Sequence, residues 1–174
     1  KMLLEYSIIS AIESKIFKKI YVIFDNIKLK NFFEKKYRIH GIVNTKRNVD
    51  FTKLIKKYKK KYFDTYSFIC VLFPNSPFKN RKTLRNMYLH MKKNNLSFLV
   101  SGCVEKNKHY FKNNKGYIKI SEKKNISESK IYYTSGGINF FKSKFDKYDD
   151  YTNNIESKNF YTLNHHEGFS IYTL

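Results

Sequence analysis

A chain of 174 residues, 41% of them hydrophobic and 18% aromatic, can bury one core, so residues 1–174 read as a single domain. No apolar run reaches the roughly 20 residues that a membrane helix requires, and no leader with a basic start, an apolar middle and a small-residue cleavage site is present, so the chain reads as cytoplasmic with no membrane partner. The formal net charge of +21 calls for an anion, yet Arg38, Arg47, Arg81 and Arg85 are the only arginines among 35 basic residues, and lysines are spread through nearly every segment. Specific phosphate or base recognition favours arginine forks. Asn, Ile, Phe, Tyr and Lys are also the residues of A/T-rich codons, so genome composition explains much of the charge.

In chain order, residues 3–15 (LLEYSIISAIESK) place Leu4, Ile8 and Ile12 at helical spacing. A short strand follows at 19–24 (KIYVIF), ending at Asp25 and Asn26; then come a helix at 27–37, a strand at 39–43 and a helix at 50–63 for which Asp50 is the candidate cap. Residues 67–73 (SFICVLF) form an apolar strand, PNSP a turn, 81–95 a helix and 97–104 (SFLVSGCV) another apolar strand. Near-continuous apolar strands alternating with helices predict an α/β fold, a mostly parallel sheet with helices on both faces. Beyond Glu105 the pattern becomes irregular and β-rich. A hairpin is expected at 109–120, a polar loop at 121–130, a strand interrupted by Gly-Gly at 131–141, a short helical piece at 143–150, and two last strands at 159–164 and 169–174.

Cys70 and Cys103 sit on separate apolar strands without metal-ligand spacing, so both read as buried free thiols. His165 and His166 are adjacent, and neighbouring residues point in different directions, which argues against a shared chemical role.

Ligands of open α/β sheets bind beyond the carboxyl ends of the strands. Among those ends, residues 71–79 (VLFPNSPFK) stand out because Pro74 and Pro77 are the only prolines in the chain. They fix φ and remove two backbone donors, leaving a stiff loop in which Asn75, the Ser76 side chain and the Ser76 amide are candidates for ligand contact. The competing reading is a turn in which Ser76 or Asn80 starts the next helix. Lys79, Arg81, Lys82 and Arg85 follow, with no acidic residue between Asp64 and Glu105, which predicts a field favourable to a phosphate or carboxylate.

The order of these motifs resembles the acylneuraminate cytidylyltransferases, the CMP-sialic acid synthetases and their relatives acting on pseudaminic and legionaminic acids. Residues 1–26 (KMLLEYSIISAIESKIFKKIYVIFDN) are similar to the family stretch KPLLxYSIxAAxxSKxFDxIxVSTDD. LFPNSPFK resembles LQPTSPLR or YPTAPF, SFLVSGCVE resembles SVVSVxxxE, YYTSGGINFF resembles RxNGAIYI, and EGFSIYTL resembles SxDIDTxxDL. The resemblance implies a Rossmann-like nucleotide-diphospho-sugar transferase fold, commonly dimeric. It also implies transfer of CMP from CTP to a nonulosonic acid, with release of pyrophosphate and with Mg2+ at the phosphates. It puts Asp25 beside the nucleotide, and Phe73, Pro74, Asn75, Ser76, Pro77 and Lys79 in the platform for the acceptor sugar.

Departures from the pattern are equally plain. The family's first strand and glycine-rich basic loop, RxGSKxxxxKN, would precede Lys1, so the chain reads as a truncated or processed piece. Ser170 and Tyr172 stand where the family has two metal-binding aspartates, and neither supplies a carboxylate. Ile23 and Phe24 replace a small polar pair, and Phe73 replaces the sialic acid branch's Gln, as suits the pseudaminic branch. Two further readings follow: a catalytically silent homologue that keeps the fold, and a basic nucleic-acid-binding module whose affinity would fall steeply with salt.

Overall fold

The computed structural model describes residues 2–45, 51–105, 110–113, 116–119, 131–145, 157–164 and 166–168. Helix α1 (Leu3–Ser14) buries Ile8 and Ala11 and partly buries Leu4, but Ile12, the third position of the expected spacing, is exposed at 39%, so the buried face is turned away from it. Its first turn is closed by Glu5, whose Oε2 accepts from the Met2 amide at 2.8 Å, and it stops where Lys15 turns into the left-handed region at φ 56°. Strand β1 (Tyr21–Phe24) pairs in parallel with β2 (His40–Val43), Tyr21 opposite His40 and Phe24 opposite Val43. Helix α2 (Ile27–Lys36) joins them, capped by the Asn26 side chain, which accepts from the Leu29 amide at 2.9 Å.

Glu5 locks this first unit together. Buried at 3% exposure, it accepts from Lys36 Nζ at 2.5 Å and from the Tyr37 hydroxyl at 2.7 Å, so α1 is tied to the end of α2. The Lys36 bond first, then Tyr37 and the Met2 amide, hold its carboxyl down at about 2 against the opposing effect of burial. Ile8, Val22, Phe24, Phe33 and Ile39 form the core beneath.

Helix α3 (Phe51–Tyr58) continues into a widened π-helical turn, Lys59–Phe63. The expected single helix over 50–63 is thus resolved into two geometries. The wide turn sets Tyr62 and Phe63 against Tyr21, both at 5.4 Å between ring centroids, while Lys59 Nζ donates to the Phe145 carbonyl at 3.0 Å.

The larger sheet is four-stranded, in the order β3-β7-β4-β8, from β3 (Phe68–Leu72), β4 (Phe98–Glu105), β7 (Ile131–Lys142) and β8 (Phe160–Thr162). Strands β3 and β4 share a direction and β8 runs parallel to β4, while β7 enters antiparallel between β3 and β4. Strands β5 (Tyr110–Asn113) and β6 (Gly116–Lys119) form the expected hairpin. Helix α4 (Arg81–Lys93) covers one sheet face with Leu84, Met87 and Met91 against Leu99, Cys103, Ile138 and Phe140. On the opposite face, Ile55 of α3 packs with Phe98, Val100 and Phe141. The α/β fold with helices on both faces, read from the alternation, is the fold observed.

The Gly-Gly interruption does not end β7. Val100 pairs with Asn139 but Gly102 with Thr134, so the excess chain of β7 bulges at 135–138, where Gly136 and Gly137 lie. Ser101 repairs the ladder there, its Oγ accepting from the Ile138 amide at 2.9 Å. Asp50, the loop at 121–130, residues 146–150 of the expected helical piece, His165, and Ser170 and Tyr172 with the expected last strand lie outside the described residues.

Candidate functional site

Strand β3 delivers the proline turn to its carboxyl end. The Phe73 amide still donates to the Gly137 carbonyl at 3.3 Å, and the Ser76 amide then donates back to the Phe73 carbonyl at 3.3 Å, closing the turn. This corrects the expectation that the Ser76 amide is open to a ligand. Pro74 is exposed, Phe73 and Asn75 are half-buried, and Ser76 and Pro77 are buried. Phe73, Pro74 and Asn75 therefore lie on the outer side of the turn, and Ser76 and Pro77 on its inner side.

Lys79 is the inner fastener. Only 3% exposed, it folds back so that Nζ donates to the Phe73 carbonyl and, at 2.6 Å, to the Ser76 carbonyl. Its own carbonyl accepts from Ser10 Oγ of α1 at 2.6 Å. Burial pushes its ammonium down to about 7, and Cys70 nearby acts in the opposite direction. The Cys70 thiol is pushed up by its own burial, with Lys79 pulling it down. Neither proline prevents the chain from folding on itself; their rings shape the loop and a buried cation clamps it.

The next residue starts α4. Asn80 Oδ1 accepts from the Thr83 amide at 3.0 Å, so Asn80, not Ser76, is the helix cap. The same side chain donates through Nδ2 to Glu167 Oε1 at 2.5 Å, an oxygen that also accepts from Thr83 Oγ1. Glu167 Oε2 accepts from Asn164 Nδ2 at 2.6 Å, and the Glu167 amide donates to Asn164 Oδ1 at 2.9 Å.

The expected anion field over 79–85 is corrected by the same geometry. Lys79 is committed to the turn. Arg85 caps the carboxyl end of α1, donating from Nε to the Ser14 carbonyl at 2.7 Å and from a terminal nitrogen to the Glu13 carbonyl at 3.1 Å. Arg81 stands 3.6 Å from the Glu13 carboxylate. The segment is free of acids in sequence, but the fold brings Glu13 and Glu167 to it from distant positions. Nothing local to 79–85 signals them.

Asp25 stands exposed at the carboxyl end of β1, its Oδ1 accepting from Asn26 Nδ2 at 2.8 Å. No hydrogen bond ties it to the proline turn. A cavity of about 370 Å3 lies at the opposite end of β3 from that turn, lined by residues including Tyr66, Phe68, Lys142 and Lys144. Among the described residues, no group of three or more His, Cys, Asp or Glu side chains could hold a metal ion, and none of the helices is long and apolar enough to cross a membrane.

This arrangement of strands is found in known structures. A 4-diphosphocytidyl-2C-methyl-D-erythritol synthase from Anaerococcus prevotii superposes with a TM-score of 0.70 at 11% identity, over 99% of this chain and 81% of its own. A CMP:2-keto-3-deoxy-manno-octonic acid synthetase, solved with CTP, superposes with a TM-score of 0.60 at 12% identity, over 89% of this chain and 68% of its own. The chain shares their fold. No protein-family model matches the sequence, and no curated protein does. The Rossmann-like α/β expectation therefore stands on three-dimensional likeness.

Proposed function

We propose that the chain is a cytidylyltransferase that passes CMP from CTP to a sugar acid, releasing pyrophosphate. The observation that carries this reading is the likeness, over nearly the whole chain, to two synthases whose names contain a cytidine nucleotide, one of them solved with CTP. The acceptor we favour is a nonulosonic acid. The motif order of residues 1–26 and 71–79 supports it, and one neighbour is named for a related 2-keto-3-deoxy sugar acid. Asp25 lies beside the nucleotide in this reading, and the outer face of Phe73, Pro74 and Asn75 receives the sugar. Lys79 acts from within, holding the turn's carbonyls inward so that the outer face keeps its shape. The family's common dimeric state and its use of Mg2+ belong to the same proposal, but Ser170 and Tyr172 supply no carboxylates and no step is assigned to the metal.

Those two residues also favour a second reading, a homologue that binds CTP without turning it over. Pyrophosphate release separates the two. With CTP, Mg2+ and a nonulosonic acid, turnover that falls at least about tenfold in Asp25→Ala supports the transferase. CTP binding without pyrophosphate supports the silent homologue, and absence of CTP binding removes both.

A further inference from the structure

We infer that Glu167 is a positioning residue for the acceptor-binding turn, the centre of a clasp that ties the segment after β8 to the start of α4. The functional half of this inference rests on the transferase reading above. Glu167 is 6% exposed, and its two carboxylate oxygens face three side-chain donors from two separate parts of the chain: Asn80 and Thr83 at the first turn of α4, and Asn164 beyond β8. A buried carboxylate is tolerated where donors surround it, and here they do so at a helix amino terminus, where negative charge is favourable.

The clasp reaches the turn through two consecutive residues. Asn80 uses its oxygen to cap α4 and its nitrogen to hold Glu167, so its side chain is fixed at both ends. Lys79 is its immediate neighbour and grips the carbonyls of Phe73 and Ser76. A shift of Glu167 therefore moves the helix start, and the helix start carries the lysine that shapes the turn. On the other side, Gly168 donates its amide to the Asn164 carbonyl at 3.1 Å and lies against Cys103, such that a Cβ at 168 would come within 1.8 Å of Sγ. The closed clasp thus covers Cys103 of β4, which is 3% exposed. This gives the clasp a chemical readout separate from catalysis.

The experiment uses the full chain with Cys70→Ser, so that Cys103 is the sole thiol. Glu167→Gln preserves size but opposes its amide to that of Asn164; adding Asn164→Asp restores a donor facing an acceptor. The expected result is a rise of about tenfold in Cys103 alkylation rate for Glu167→Gln, with reversal in the double variant. The acceptor KM is expected to rise by a similar factor while the CTP KM stays within about twofold, again with reversal by Asn164→Asp. Unchanged Cys103 protection in both Glu167→Gln and Glu167→Ala overturns the clasp. An exposed Cys103 with equal changes in both KM values, or none, overturns the positioning role. Should the parent protein show no turnover, the transferase reading fails by itself. Amide exchange across residues 73–79 then decides the inference: faster exchange in Glu167→Gln supports it and unchanged exchange overturns it.

Discussion

At the scale of single residues, the site's chemistry is set by side chains that turn away from solvent. Lys79 was legible in the sequence as a cation beside a proline turn, but not as an inward one, because direction depends on the Phe73 and Ser76 carbonyls meeting its Nζ. Its titration gives a signed prediction. The unfolded chain keeps the Lys79 proton up to its ordinary 10.5, whereas burial lowers the folded value to about 7. Between those values the unfolded state binds more protons, so this group's contribution to stability rises with pH across that window. Lys79→Met removes the slope and withdraws the lysine's two hydrogen bonds, the Phe73 carbonyl keeping only the Ser76 amide, a cost of about 1–3 kcal/mol. Urea unfolding from pH 7 to 9.5 is expected to show the deficit of Lys79→Met widening as pH rises. A deficit constant across that range would show that the buried ammonium does not lose its proton there.

At the scale of elements, apolar periodicity was sufficient for the helices and strands of the first hundred residues, since burial on one face or both writes itself into the spacing. The π-helical turn at Lys59–Phe63 was not legible, because it answers to aromatic contacts with Tyr21 on another strand. Nor was the antiparallel entry of β7 between β3 and β4, as strand direction leaves no mark on an apolar run. Glycine 168 belongs to the same class of long-range effect. It passes over β4 so closely that any side chain would strike Cys103 Sγ. Gly168→Ala is therefore expected to destabilise the fold by about 1–3 kcal/mol, as overpacking does. Cys103→Ala in the same chain removes the obstructing sulfur and lets the new methyl occupy its space. The double variant should recover most of the lost midpoint in thermal unfolding, even though each single change is destabilising. Additive losses would mean that the two residues do not share that contact.

At the scale of the whole molecule, the +21 charge was fully readable, but its local meaning was not. The fold distributes its few acids as ties: Glu5 to Lys36, Glu34 to Lys30 at 2.6 Å, Glu13 near Arg81, and Glu167 among three neutral donors. Fourteen acids cannot neutralise 35 bases, so a large excess of positive charge is left over. Two opposite responses to salt follow. Screening weakens the few attractive pairs, which are individually worth about 0–1 kcal/mol where exposed, and it also weakens the more numerous repulsions. Because the Debye length shortens from about 30 Å at 0.01 M to about 10 Å at 0.1 M, the repulsions between distant lysines are lost first, while contacts near 3 Å survive. The repulsive part therefore dominates the change, and the melting temperature is expected to rise between about 0.01 M and 0.3 M sodium chloride. A falling melting temperature would mean that the ties around Glu5, Glu13 and Glu34 outweigh the surface repulsion. Replacing the exposed Lys53 and Lys60 of the α3 region by Gln gives the matching test. That variant should melt higher than the parent at low salt and converge with it as salt rises, since what it removes is the same repulsion that salt screens.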